Sequence, residues 1–188
     1  MTDLLRGAFD APGFRPLPPR ARALLESLGA PPRLAAHLRV VHDVAVTLTG
    51  WARPLAEFDV TAVLFGAATH DIGKIRHPAE LSGPGSAHEV AGYRLLVEHG
   101  VEEASARFAR THGSWDAPGV TLEDLLVSLA DKVWKAKRVP DLEERAASSL
   151  AAGRPLWEAF MSLDDELERI AAGADARLAF QASYPTTG

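Results

Sequence analysis

Residues 60–72 read Val-Thr-Ala-Val-Leu-Phe-Gly-Ala-Ala-Thr-His-Asp-Ile, and this segment restricts the fold more than any other. Its apolar side chains point in nearly every direction around a helical axis. The helix it forms must therefore sit at the centre of a protein and be wrapped by other elements. Yet it ends in His70 and Asp71, followed by Gly73 and Lys74. An ionised carboxylate among apolar residues is costly unless a cation or strong hydrogen bonds compensate it. A histidine beside an aspartate offers an imidazole nitrogen and a carboxylate oxygen, both ligands for a divalent metal of intermediate hardness. A metal is the simplest compensation.

The rest of the chain reads as further helices, so the expected class is all-α. Pro31-Pro32 open a long helix with apolar positions Leu34, Leu38, Val41, Ala45 and Leu48 at helical spacing. Ser86 is a suitable cap for a helix through His99, ended by Gly100; another helix covers Glu102 to Thr111. Thr121, with Asp124 three positions later, starts a helix to about Arg138. Helices from about Pro140 to Gly153 and from Pro155 to Ala172 follow, with a short turn after them. No stretch alternates with the period of a strand, and no internal repeat is present. Residues 1–30 are expected to form an N-terminal arm, irregular from Ala11 to Arg20, and a short helix over Ala21–Leu28. Residues 31–182 form the main domain, and 183–188 a frayed tail.

Composition narrows the chemistry. The 188 residues include no cysteine, so any metal must be held by histidine and carboxylate, and thiolate catalysis is excluded. A formal net charge of −5 disfavours general nucleic-acid binding. The first thirty residues lack the apolar run of a signal peptide, and no run approaches the ~20 residues of a membrane span. The expectation is a cytoplasmic protein with no membrane contact.

Four more residues have ligand chemistry and helical placement that could serve the His-Asp pair. His42 lies one position from the apolar stripe of its helix. His88 follows a loop and opens a helix. His112 ends a helix before Gly113. Asp131 lies opposite the stripe of Leu122, Leu125, Leu126, Leu129 and Val133, but Val127 and Trp134 flank it, so its helix is covered on both sides. Taken singly, each has a plainer reading: a core histidine, helix-end capping, a solvated aspartate. His37, His77 and His99 are expected at the surface, and Glu57, Glu80 and Glu89 in solvent, with Glu89 next to a candidate ligand. Trp115, in a loop after His112, is placed to line a pocket. The other familiar motifs fail. His88-Glu89 lacks a histidine at position 92, and the approach to Lys74 lacks the glycine and the hydroxyl residue of a phosphate-binding loop.

The ordered series His42, His70-Asp71-x-x-Lys74, His88, His112, Asp131 resembles the HD superfamily of metal-dependent phosphohydrolases, over roughly residues 31–138. The resemblance implies an HD-type helical bundle with His42, His70, Asp71 and Asp131 as metal ligands. It also implies His88 and His112 as ligands of a second metal, with Asp71 shared. One or two divalent ions (Mn, Fe, Co, Ni or Mg) would then activate water against a small phosphorylated substrate, such as a nucleotide. Asp71 and Lys74 would be catalytic, and Lys74 would bind phosphate. Lys135 and Arg138, on the Asp131 face by helical spacing, would assist with a polyphosphate. The pattern is most similar to small bacterial HD hydrolases of dinucleoside polyphosphates. Phosphomonoester and phosphodiester hydrolysis stay open. So do a di-iron HD-type oxygenase and a non-catalytic metal-binding regulatory domain.

Overall fold

A computed structural model describes residues 3–186, and it is all-α: the described residues contain helices and 3₁₀ turns but no strand. The long helix α3 (Pro32–Ala52) is the axis of the molecule. The short α1 (Asp3–Asp10) and α2 (Pro19–Ser27) precede it. The irregular arm is thus confined to 11–18, between two helices. Helix α1 packs on α3, and the Arg39 guanidinium of α3 ties the arm down by donating to the carbonyls of Ala8, Ala11, Phe14 and Arg15.

Helix α4 (Val60–Thr69) starts at Asp59, whose carboxylate accepts from the Ala62 amide. It runs against α3, and both pack against α8 (Leu122–Val133). Thr121 and Asp124 form a reciprocal capping box at the start of α8, as their spacing predicts. Helices α5 (Ala87–Glu98), α6 (Glu103–Ala106) and α7 (Phe108–Thr111) cover one side of this core. The helix expected over 102–111 is thus broken at Arg107. Helices α9 (Pro140–Leu150), α10 (Leu156–Ala171) and α11 (Ala174–Ala182) cover the other side, so the expected terminal turn is a full helix.

Two apolar clusters result. One gathers α8, α9 and α10 around the C-terminal half of α3; the other gathers α1, α2, α5 and α6 around its N-terminal half. Helix α4 contributes Val63 and Ala67 to the first and Phe65 and Ala68 to the second. The C-terminal end of α4 therefore lies where the two clusters meet. In the expected tail, the Arg33 amide donates to the Pro185 carbonyl at 3.0 Å, and the Arg33 Nε to the Tyr184 carbonyl at 2.9 Å. The last two residues of the expected frayed tail lie outside the described residues.

Candidate metal centre

Two glycines bring the His-Asp pair to its partners. After α4 the chain passes through Asp71 into a 3₁₀ turn over Ile72–Ile75. Gly73 in this turn lies so close to α5 that an added Cβ would be 2.0 Å from the His88 carbonyl oxygen and 2.5 Å from the Gly92 amide nitrogen. On the other side Gly92 would meet the Gly73 nitrogen at 3.1 Å. This backbone-to-backbone contact sets the first turn of α5, and with it His88, beside Asp71.

The Asp71 side chain is 3% exposed and divides the surrounding histidines between its two oxygens. Oδ1 lies 2.9 Å from His88 Nε2 and 3.5 Å from His112 Nε2. Oδ2 lies 3.1 Å from His37 Nε2, 3.6 Å from His70 Nε2 and 2.6 Å from Lys74 Nζ. Asp131 joins the second set, with Oδ1 3.3 Å from His70 Nε2 and Oδ2 2.5 Å from Lys132 Nζ. Two groups of mutually close ligand atoms thus share one carboxylate: His37, His70, Asp71 and Asp131, and Asp71, His88 and His112.

His42, the expected first ligand, is not in either group; His37 takes that place. Five residues along a helix is a rotation of about 140°, so the two histidines of α3 cannot serve one centre. His37 is 6% exposed and not a surface residue. Its ring lies edge-on to those of His70 and Trp134, with centroids 5.4 and 5.0 Å away. The signal was present in the sequence: His37 is three residues after Leu34 and four before Val41, within the apolar stripe itself. His42 is buried elsewhere in the core with an unpartnered Nδ1, and burial lowers its pKa to about 4.

The tautomers follow from the fold. His70 Nδ1 faces the Ala67 carbonyl at 3.0 Å, and His112 Nδ1 faces those of Phe108 and Ala109 at 3.2 and 3.1 Å. These carbonyls accept only, so each Nδ1 carries a hydrogen, and the neutral form of each ring presents its Nε2 lone pair to the centre. His88 Nδ1 contacts Glu80 Oε2 at 2.5 Å, so Glu80 is not the solvated residue expected.

His37 Nε2, His70 Nε2, His88 Nε2 and Asp71 Oδ1 are buried with no hydrogen-bond partner. Buried polar atoms are seldom left so, and four of them converge here. Burial raises the pKa of Asp71, but His70, His37 and His88 outweigh it and hold the carboxyl well below its ordinary range. Burial likewise opposes ionisation of Asp131, and His70 and Lys132 overcome it. Burial lowers His37, and it lowers His112 to about 4, whereas at His88 the contacts with Asp71 and Glu80 outweigh burial and raise the pKa, so a cation there would displace a proton. Ionised carboxylates and converging, unpartnered imidazole nitrogens suit a divalent cation.

The other expected substrate contacts divide. Lys74 stands at the centre, bound to Asp71. Lys135 is exposed, with its ammonium 5.7 Å from the Trp134 ring centroid. Arg138 is held away from the centre by Glu143 and Asp164, linking α9 to α10. Glu89 is half-buried beside Gly113, and its pKa is raised by burial. Trp115 lines a cleft of about 1030 Å³ with Gly113, Asp116, Asp141, Glu144 and Arg145, and its ring centroid is 5.7 Å from Lys132 Nζ. No helix among the described residues is long and apolar enough to cross a membrane.

Neither curated proteins nor solved structures gave a match to this chain. A family match was found to the HD domain over residues 33–134, which takes in His37, His70-Asp71, His88, His112 and Asp131. That span is more than half of the chain, and the protein belongs to the HD domain family.

Proposed function

We propose that this protein is a metal-dependent phosphohydrolase acting on a small phosphoester, with a nucleotide as the leading substrate class. The observation that carries the reading is the division of Asp71 between two histidine groups whose Nε2 atoms converge on it. His37, His70, Asp71 and Asp131 would hold one divalent ion, and Asp71, His88 and His112 a second. Such ions, when bound, supply Lewis acidity that lowers the pKa of water and offsets phosphoryl charge.

The chain's own residues do the rest. The helix-bound carbonyls at Ala67, Phe108 and Ala109 keep His70 and His112 in the tautomer that points Nε2 inward. Lys74 brings an ammonium to the centre, and having donors only it would bind a non-bridging phosphate oxygen. Lys132 and Lys135 add positive charge on the α8 side. The cleft beside Trp115 supports a place for the organic part of the ester.

The test is a panel of nucleotides and simple phosphoesters with Mn²⁺, Fe²⁺, Co²⁺, Ni²⁺ and Mg²⁺, run anaerobically, with metal analysis of the purified chain. Phosphate release without oxygen is the expected result. Asp71→Ala is expected to lose metal and activity while staying folded. Unchanged metal content in that variant would remove the central claim. Turnover that requires oxygen would move the reading to an oxygenase.

A further inference from the structure

His88 differs from the other histidines at the centre in how its ring is held. His70 and His112 follow helical turns whose carbonyls accept from Nδ1. His88 is in the first turn of α5, which starts at Ala87, so no earlier turn of its own helix can do this. The acceptor comes instead from Glu80, eight residues before. Glu80 Oε2 receives His88 Nδ1 at 2.5 Å and the His88 amide at 3.1 Å, and Oε1 receives the Ala87 amide at 3.2 Å. Glu80 thereby also serves the α5 N-terminus, where the Ser86 side chain makes no capping hydrogen bond.

The loop before α5 is shaped around this carboxylate. Gly85 has φ +155°, and a Cβ there would fall 2.4 Å from Glu80 Oε1. Only glycine leaves room for the acid to reach the helix end.

From these contacts we infer that Glu80 is a positioning residue for the metal centre. Its carboxylate fixes His88 with Nε2 toward Asp71 and so sets the divalent-cation affinity of the Asp71–His88–His112 group. The inference rests on the metal reading of the site. A carboxylate behind a ligating imidazole both fixes the ring and strengthens it as a donor, and removing such a partner commonly costs about 10–100-fold in metal affinity.

The experiment is Mn²⁺ titration of the full chain by calorimetry, with thermal unfolding of each metal-free variant alongside. Glu80→Ala is expected to weaken one Mn²⁺ by about 10–100-fold and leave the other unchanged. Glu80→Gln keeps an oxygen for the helix end and for Nδ1 but loses the charge. It is expected to restore the unfolding midpoint and to recover affinity only in part. Gly85→Ala is expected to reproduce the Glu80→Ala metal defect. In a His88→Ala background only the His37–His70–Asp71–Asp131 group remains, and adding Glu80→Ala is expected to leave its affinity unchanged.

Equal Mn²⁺ affinities in wild type and Glu80→Ala would overturn the assignment. So would a loss that persists undiminished in the His88→Ala background, which is what general loosening of α5 would produce. A wild-type chain that binds no Mn²⁺ would instead overturn the metal reading beneath it.

Discussion

Gly73→Ala should damage stability and metal binding together, and the size of the effect follows from one contact. The added Cβ would lie 2.0 Å from the His88 carbonyl oxygen, whereas ordinary contact begins at 3.4 Å. The obstacle is backbone on two sides, the His88 carbonyl and the Gly92 amide, so no side chain can swing away. The 3₁₀ turn and α5 must separate by about 1.4 Å at this point to reach that ordinary contact. Forcing a methyl into packed surroundings costs typically 1–3 kcal/mol, and a backbone obstacle places this case at about 3 kcal/mol. For a chain of this size that is roughly 6–12 °C in the unfolding midpoint.

The same displacement would carry His88 Nε2 away from Asp71 Oδ1, now 2.9 Å distant, so one Mn²⁺ should also bind less tightly. Gly50→Ala is the control. Gly50 lies in α3 with nothing within 4 Å of its added Cβ, so the variant should gain about 0.5–1 kcal/mol from helix propensity. Calorimetric unfolding in EDTA and Mn²⁺ titration measure both effects. A Gly73→Ala midpoint within about 2 °C of wild type, less than 1 kcal/mol on this scale, would refute the argument that this approach fixes the centre.

The two histidines of α3 should separate cleanly in metal analysis: His37→Ala loses the ion shared with His70 and Asp131, while His42→Ala retains it. The reverse result would restore His42 as the ligand. Burial holds the His42 pKa at about 4 against an ordinary 6.5, so between those values the unfolded chain takes up a proton that the folded chain refuses. Stability of the metal-free protein should therefore fall as pH drops from 6.5 toward 4, by up to ~1.4 kcal/mol per pH unit from this group. His42→Leu should flatten that fall, and a variant with the wild-type pH slope in EDTA would contradict it. Lys74→Ala should keep fold and metals but lower phosphoester turnover by roughly 1.5–3 kcal/mol, about 13- to 160-fold. Full activity would show that its ammonium only neutralises Asp71.

The all-α class and most helix starts were legible because they rest on local chemistry: the Thr121–Asp124 box and Pro32 in a first turn. Helix α1 was less so, since its eight residues depend on packing against α3 for their order. Asp71 stood out because an acid at the end of an apolar helix needs a partner. His42 matched the first histidine of the HD pattern, whereas His37 had no slot in it and was read as a surface residue, although the centre lies within the apolar stripe. The place of His37 three residues after Leu34 and four before Val41 argued for burial, and burial of a histidine calls for a partner. Glu80 was harder still. Nothing local marks it, and its role depends on a loop that turns back through Gly85 to the start of α5. Arg138 shows the opposite limit. Helical spacing placed it on the Asp131 face, but α8 ends at Val133, so the spacing does not extend to residue 138.

These features share a physical logic. The centre lies where two apolar clusters meet, and its two groups are held in different ways. His37 and Asp131 come from α3 and α8, whose packing forms the interior. That half should keep its geometry for as long as the core holds. His88 depends on a buried glycine contact, and on one carboxylate carried by the largely exposed segment 78–86. Opening of the 78–86 segment would release it without disturbing α3, α4 or α8, because local opening draws on segments with few buried contacts. The structure thus predicts unequal halves: the His37–His70–Asp71–Asp131 group should retain its ion under mild denaturant or chelator after the His88–His112 group has lost its own. Two-step release of Mn²⁺ in a chelator titration is the expected signature. Simultaneous loss of both ions at the global unfolding transition would show instead that the α5 loop is as firmly fixed as the core.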